Sequence, residues 1–311
     1  MSRKLISIVS GCFNEAGNVE ELVARVAKAM ASLPQYEYEQ IIIDNASTDG
    51  TQEVLRKLAT GNPCLKVILN ARNFGHIRSP YHGLLQSSGD AVIYLASDLQ
   101  EPPELIPEFI KKWEEGAKAV VGIKDSSDES SFFFAVRRFY YFLVEGLAEI
   151  KTIQNFTGFG LYDRAIIEYC HTVADPYPYF RGQISEIGLP VEKVSYHQPA
   201  RKRGITKNNF FTLYDLAMLG ITSYSKVPLR LAAMLGFAMS LVSLFVALGY
   251  LICKLLFWYS FPVGTAPMMI GLFFFASVQL FFIGILGEYI GAIHTQVLKR
   301  PLVVEKERLN F

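Results

Sequence analysis

Asp98 and Gln100 stand two residues apart, just after the apolar run Ala91-Val92-Ile93-Tyr94-Leu95. A carboxylate and an amide oxygen at the end of a buried strand form a small oxygen-donor site. Oxygen donors suit a hard cation such as Mg²⁺ or Mn²⁺, and such a cation brings a substrate phosphate with it. The same residues fit a plainer role, capping a helix that begins near Pro103 or Glu104 after Pro102 ends the extended run. Spacing alone supports either role.

Two further strand ends are polar. Gly11-Cys12-Phe13-Asn14-Glu15 follows one apolar run, and Asp44-Asn45-Ala46-Ser47-Thr48-Asp49-Gly50 follows another. In a doubly wound sheet such ends converge on one edge. Acids, amides and small residues gathered there suit a nucleotide held through its base, ribose and metal-bridged diphosphate. Asp44 could take ribose hydroxyls or the base N–H, while Asp44 and Asp49 taken singly also read as turn or N-cap residues. No GxGxxG follows the first strand, which disfavours a dinucleotide-binding module.

The elements that must position these residues alternate. Strand candidates are Leu5–Val9, Gln40–Asp44, Leu65–Leu69, Ala91–Leu95 and Ala119–Gly122. Helical spacing of apolar residues covers Val19–Met30, Thr51–Leu58, His82–Ser87 and Leu105–Trp113. Strands alternating with helices imply an α/β, doubly wound parallel sheet, whose strand order the sequence does not give. Lys124–Ser131 is a polar stretch, either a solvated loop or a mobile lid. Two aromatic-rich segments follow, Phe132–Leu147 and Asn209–Tyr224, each open to a core or a membrane-interface reading.

Composition sets the class. Hydrophobic residues make up 51%, mean hydropathy is +0.24 and the formal net charge is +1. That balance does not suggest nucleic acid. Four scattered cysteines without a CxxC pair argue against a zinc site or disulfide scaffold and fit a reducing compartment. Leu5–Val9 is too short for a signal-peptide core, which places the N-terminal part in the cytoplasm. Leu231–Cys253 and Leu255–Gly287 carry no charged residue, and each is long enough to cross about 30 Å of hydrocarbon. Phe261-Pro262-Val263-Gly264 breaks between them. Lys and Arg flank the pair before Leu231 and after Leu298, so the positive-inside rule puts both termini in the cytoplasm. Lys254 must then snorkel at the outer end, and Glu288 lies near the inner end.

At this point the chain resembles inverting GT-A glycosyltransferases of family two that load a sugar onto a polyprenyl phosphate. The matching pieces are Phe13-Asn14-Glu15, Asp44 with Ser47–Thr51, Arg72-Asn73-Phe74-Gly75, Asp98–Glu104, Asp163-Arg164, and Gly220-Ile221 leading to Pro228-Leu229-Arg230. They extend over nearly the whole chain. The resemblance implies a cytoplasmic GT-A catalytic domain over 1–207, an interfacial helix over 208–229, a transmembrane hairpin over 230–294 and a cytoplasmic tail over 295–311. It implies nucleotide contacts from Gly11, Phe13, Glu15, Asp44, Ser97 and Asp98. It implies Mg²⁺ or Mn²⁺ on Asp98 and Gln100, and diphosphate and acceptor-phosphate contacts from Arg201 and Lys207, with Arg181 a further phosphate candidate. Arg201 and Lys207 also read as membrane-surface charge.

Several positions depart from the family pattern. Ala96 replaces the first acid of Asp-x-Asp, Gly11 replaces a proline, Asp44-Asn45-Ala46-Ser47 replaces Asp-Asp-Gly-Ser, and Gly158-Phe159-Gly160 replaces Asp-Phe-Arg. The expected reaction is transfer of a sugar, first of all glucose from UDP-glucose, from a nucleotide sugar to polyprenyl (undecaprenyl) phosphate at the membrane. A processive polysaccharide synthase is a rival, although no Gln-x-x-Arg-Trp surrounds Trp113 or Trp258. A catalytically inactive GT-A scaffold is another, favoured by Ala96. A two-span anchor with interfacial helices could also pack between protomers.

Overall fold

The computed structural model describes residues 3–126, 153, 155–199, 210–257 and 265–311. The polar stretch after Ser126, the aromatic segment Phe132–Leu147, Arg201, Lys207 and the break at Phe261–Gly264 lie outside the described residues. Strands β1 (Lys4–Cys12), β2 (Tyr36–Asp44), β3 (Leu65–Asn70) and β4 (Ala91–Tyr94) alternate with helices α1 (Val19–Ala31), α2 (Thr51–Gly61) and α3 (Gly75–Leu85). A 3-10 turn at Pro103–Leu105 opens α4 (Ile106–Glu114), and β5 (Ala119–Ser126) follows. Next come β6 (Phe156–Asp163), α5 (Arg164–Val173), α6 (Phe180–Glu186) and β7 (Val191–His197). The rest is α7 (Phe210–Tyr224), α8 (Val227–Leu256), α9 (Thr265–Leu298) and β8 (Glu305–Leu309).

The strands form one sheet in the order β7-β5-β6-β4-β1-β2-β3-β8. β4, β1, β2 and β3 are mutually parallel, as expected of strands buried on both faces. Residues of β2 divide by period two: Ile42 joins the core under α1, α2 and α4, while Ile41 and Ile43 join the core under α3, α5 and α6. β6 runs antiparallel between β4 and β5, and β7 pairs parallel with β5. β6 escapes a pattern search because Gly158 and Gly160 interrupt its apolar residues. α3 begins earlier than expected, at Gly75, because Pro80 and Gly83 hide its period.

The expected tail is drawn differently. α9 continues through Leu298, past the boundary expected at 294, and Glu305–Leu309 is an antiparallel edge strand on β3. Its alternating charges, Glu305-Lys306-Glu307-Arg308, suit an edge and conceal it from a hydrophobicity search. Arg56 Nη2 reaches Glu307 Oε2 at 2.9 Å, His82 meets Glu305 at 2.5 Å, and the Asn310 amide donates to the Ala59 and Leu65 carbonyls at 2.8 Å each. α7 ends at Tyr224, and α8 starts at Val227, ahead of the 230 expected for the first span. α8 is 30 residues long, about 45 Å at the usual rise. The most apolar 18-residue stretches of α8 and of the Ile270–Leu298 part of α9 have mean hydropathies of 2.3 and 2.2, and both helices are long and apolar enough to cross a membrane. Tyr289 in α9 donates its hydroxyl to Ser225 O at 2.7 Å, between α7 and α8.

Two carboxylates of the edge strand titrate with its docking. The hydrogen bond from Arg308 holds Glu305 below the usual carboxylate range, with His82 adding to it against partial burial. Arg56 does the same for Glu307. A depressed acid contributes stability that is complete above its ordinary value and is lost as pH falls through the folded one. The Glu305→Gln/Glu307→Gln double variant should therefore melt a few degrees below wild type at neutral pH. The gap should close at acid pH, below the ordinary glutamate value of 4.5. A gap that persists unchanged in acid, read by thermal unfolding of both proteins, would contradict the assignment.

Candidate active site

The chain adds β2 and β3 on one side of β1, then β4 on the other. That reversal opens a crevice at the C-terminal ends of β1 and β4, where open sheets bind ligands. The register puts Cys12 of β1 level with Asp44 of β2 and Val9 level with Tyr94 of β4, so all three polar loops leave the same edge.

Loops one and two are fastened together. Asn14, in a left-handed conformation at φ 60, donates its N–H to Ser47 Oγ at 2.8 Å and accepts from Thr48 N at 2.8 Å. Glu15 N donates to Thr51 Oγ1 at 3.0 Å, and Ala16 N to Asp49 Oδ2 at 3.2 Å. The Glu15 carboxylate receives Asn18 Nδ2 at 2.5 Å. Asp49 is held below the ordinary carboxylate range, because hydrogen bonds from Thr51 and Ala16 outweigh its burial. It ties the two loops, in keeping with the turn reading.

Asp44 is fully buried. Its Oδ2 accepts from Ser47 N at 3.0 Å and Gln52 Nε2 at 2.8 Å, and Oδ1 faces the Cys12 thiol at 3.6 Å. Asp44 thus shapes the second loop, and only its Oδ1 edge has a weak protein partner. Gly11 sits against α3: a Cβ there would lie 2.7 Å from Pro80 Cγ. That contact explains glycine where the family has proline, and it makes Gly11 a packing position. Asn45 binds the third loop, donating to Asn73 Oδ1 at 2.9 Å and Gly75 O at 3.0 Å and accepting from Phe74 N at 2.8 Å. The Arg72-Asn73-Phe74-Gly75 piece is therefore clamped to the second loop.

Asp98 does not cap a helix. Its Oδ1 accepts from Gln100 N at 3.1 Å, closing a tight turn. Leu99 in that turn is left-handed at φ 61, a costly conformation without glycine. Its side chain, 5% exposed, joins the core and holds the turn in place. Gln100 Nε2 donates to Pro199 O at 3.3 Å. The amide Oε1 accepts nothing among the described residues. Ser97 is 2% exposed, and its hydroxyl lacks a partner among the described residues.

Beneath the turn lies a carboxylate the sequence did not single out. Glu101, 5% exposed, accepts from Ala96 N at 2.7 Å and Thr157 Oγ1 at 2.7 Å. Burial pushes its carboxyl up to about 7, and the Asp98 charge adds to the rise, against the hydrogen bonds from Ala96 and Thr157. Glu101 thus fastens the backbone at Ala96, where the family has an acid. Neither of its oxygens lacks a donor. Its only signal in the sequence is its place between Gln100 and Pro102.

The remaining candidates divide. Arg181 on α6 donates to Phe156 O at 3.3 Å and lies over the Tyr179 ring at 5.4 Å. Because β6 is antiparallel to β4, its Phe156 end shares the edge with Asp98. Pro199 leads into the segment with Arg201 and Lys207. Asp163-Arg164 is structural: Asp163 accepts from Ala165 N and Trp113 Nε1, and Arg164 donates to Gly89 O and Ser87 O. Gly160 allows no arginine, since a Cβ there would meet Val120 O at 2.4 Å.

Among the described residues no group of three or more His, Cys, Asp or Glu could hold a metal. The donors present are the Asp98 carboxylate and the Gln100 amide oxygen. Two hard oxygens fit Mg²⁺ or Mn²⁺, which take remaining ligands from phosphate and water. They do not fit a cation needing a closed protein shell.

A glycosyl transferase family 2 sequence profile matches residues 7–170. The chain belongs to glycosyl transferase family 2. It is 32% identical over 304 residues to the SfII prophage-derived bactoprenol glucosyl transferase of Shigella flexneri, spanning 97% of each chain. It is 30% identical over 302 residues to the prophage bactoprenol glucosyl transferase homolog of Escherichia coli (strain K12), spanning 97% of this chain and 98% of that one. Glucosyl-3-phosphoglycerate synthase from Mycobacterium tuberculosis in complex with UDP aligns with a TM-score of 0.48 at 18% identity, covering 70% of this chain and 78% of that one.

The Glu101 contacts carry a stability prediction for this family 2 protein. Glu101→Ala leaves the half-buried Ala96 N–H and the exposed Thr157 hydroxyl without their acceptor, at a cost of about 1–2 kcal/mol. Glu101→Gln keeps one acceptor oxygen and should lose less than half as much. Thermal unfolding of the two metal-free variants checks this; equal midpoints would contradict it.

Proposed function

We propose that this glycosyltransferase moves a hexose, glucose from UDP-glucose in the first instance, onto the phosphate of polyprenyl (undecaprenyl) phosphate at the cytoplasmic face of the membrane. One observation carries the reading. The chain leaves the sheet toward the apolar helices after β7, where Pro199 O meets Gln100, and returns from them at Val304, bonded to Ala71 N just past the end of β3. Exit and return both lie on the edge that carries Asp98. That arrangement supports a site facing the membrane, with both termini on its cytoplasmic side. The names of the relatives support glucose and a bactoprenol-type acceptor.

The chemistry follows from charge. A lipid phosphate with a second pKa of about 6 is mostly dianionic near neutral pH. It is already a nucleophile, so no protein base must remove a proton. The acceptor oxygen forms a bond to C1 of the sugar from the face opposite the leaving group. The bond from C1 to the diphosphate oxygen breaks with its electron pair, so the anomeric configuration inverts. Asp98 and Gln100 would hold Mg²⁺ or Mn²⁺, which supplies charge neutralisation for the diphosphate when bound. Asp98 is oriented for this by the Leu99 turn and by Glu101 beneath it. Arg181, Arg201 and Lys207 supply positive charge to the diphosphate and the acceptor phosphate. Ser97 offers its buried hydroxyl to the nucleotide, and Gly11, Phe13, Glu15 and Asp44 wall the nucleotide side.

The test is a donor screen with the purified full chain, polyprenyl phosphate and Mg²⁺ or Mn²⁺, identifying the lipid product by mass. A hexosyl-phosphate lipid that disappears on chelation is expected. No transfer from any UDP- or GDP-sugar would overturn the reading. Asp98→Ala should lower kcat/KM at least about 100-fold, the scale seen when one charge-stabilising group is removed. Full activity in that variant would remove Asp98 from the mechanism.

A further inference from the structure

Exposure alternates along the chain from Tyr94 to Glu101. Tyr94, Ala96, Asp98 and Gln100 are partly exposed, while Leu95, Ser97, Leu99 and Glu101 are buried. Leu95 N still bonds to Val9 O at 3.1 Å, so the extended run continues past the end of β4. Period-two alternation then places Tyr94 and Ala96 on one side of the chain, leading to Asp98. Ala96 puts only a methyl group between the Tyr94 phenol and the Asp98 carboxylate.

The ring of Tyr94 has a fixed seat. It packs on the backbone at Gly158, where a Cβ would lie 3.6 Å from Tyr94 Cε1. Gly158 stands at φ 108, a conformation that other residues rarely adopt. Tyr162 holds that backbone by donating its hydroxyl to Gly158 O at 2.5 Å, and Thr157 beside it donates to Glu101 Oε1 at 2.7 Å. Tyr162 is fully buried and spends its hydroxyl on this bond. Tyr94 differs, because its hydroxyl has no hydrogen-bond partner among the described residues. A phenol with a fixed ring and a hydroxyl open to water can exchange that water for a ligand oxygen without reorganising.

Charge selects the ligand oxygen. Burial raises the affinity of the Tyr94 phenol for its proton, and the Glu101 and Asp98 charges raise it further. The hydroxyl therefore stays neutral and can both donate and accept. Its two charged neighbours are negative, which disfavours a phosphate and suits an uncharged hydroxyl. We infer that the Tyr94 hydroxyl hydrogen-bonds a hydroxyl of the hexose carried by the donor. At about 3.3 Å per residue, the Cα atoms of Tyr94 and Asp98 are about 13 Å apart or less. A phenol reaching in from one end and a diphosphate bridged to the other leave room for one sugar ring. Tyr94 is then a specificity residue for the sugar, distinct from the groups that hold the nucleotide. The inference deepens the transferase reading and rests on it, since it needs a diphosphate at Asp98.

The test is calorimetric titration of the full chain in detergent with UDP and with UDP-glucose, in the presence of Mn²⁺ and without acceptor. Tyr94→Phe keeps the ring and its seat on Gly158, so its thermal unfolding midpoint should match wild type. The variant should bind UDP as wild type does and bind UDP-glucose about fivefold more weakly, the worth of one neutral hydrogen bond. Among the 2-, 3-, 4- and 6-deoxy analogues of UDP-glucose, one should bind wild type and variant equally, because the hydroxyl that meets Tyr94 is already gone. An equal loss for UDP and UDP-glucose would make Tyr94 a structural residue and overturn the contact. An unchanged UDP-glucose affinity, or a loss that persists with all four analogues, would overturn it as well. In each of those cases wild type still binds UDP-glucose and the donor reading stands. No UDP-glucose binding by wild type would instead overturn the donor, and the contact with it.

Discussion

One edge of the sheet carries two obligations. It carries Asp98, Gln100 and the polar loops after β1 and β2, and it must join the chain to two long apolar helices. The pairing of β8 with β3 enforces this. After α9 the chain has to meet Asn70 with Glu305 and then run antiparallel along β3. Its return point is therefore fixed at the strand-end edge. Asn310, Glu307 and Glu305 lock that strand to α2 and α3, and α3 in turn packs Pro80 against Gly11. The membrane attachment and the first site loop thus share one helix.

Within the site, rigidity comes from hydrogen bonds between loops rather than from regular structure. Asn14, Ser47, Thr48, Asp49 and Thr51 join the first two loops, and Asn45 ties in the third. The fourth loop uses a different device, a left-handed Leu99 anchored in the core with a buried Glu101 behind it. Most polar groups of the first three loops are consumed in this bracing. Among the described residues, the Gln100 Oε1 and the Ser97 hydroxyl, beside the Asp98 carboxylate, have no protein donor or acceptor of their own. An amide oxygen beside a carboxylate is what a hard divalent cation requires.

The sequence made the fourth loop legible because an acid and an amide two residues apart interrupt a long apolar run. It made the parallel core legible because strands buried on both faces are continuously apolar. β8 was hidden because an exposed edge strand of alternating charges looks like a solvated tail. β6 was hidden by its two glycines, one of which is demanded by the approach of Val120 O. Glu101 was hidden because nothing in a local pattern separates a buried glutamate from a surface one. Asp44 read as a ligand acid from its position, yet its bonds to Ser47 and Gln52 spend one oxygen on the loop itself.

The central claim is that Asp98 holds a nucleoside diphosphate through a divalent cation. Electron–nuclear double resonance on Mn²⁺ bound with UDP measures this contact, because phosphorus bonded through oxygen to the ion gives a resolved ³¹P coupling. The account predicts that coupling in wild type and its loss in Asp98→Ala. Mn²⁺ bound without ³¹P coupling, or a coupling unchanged in the variant, would contradict it.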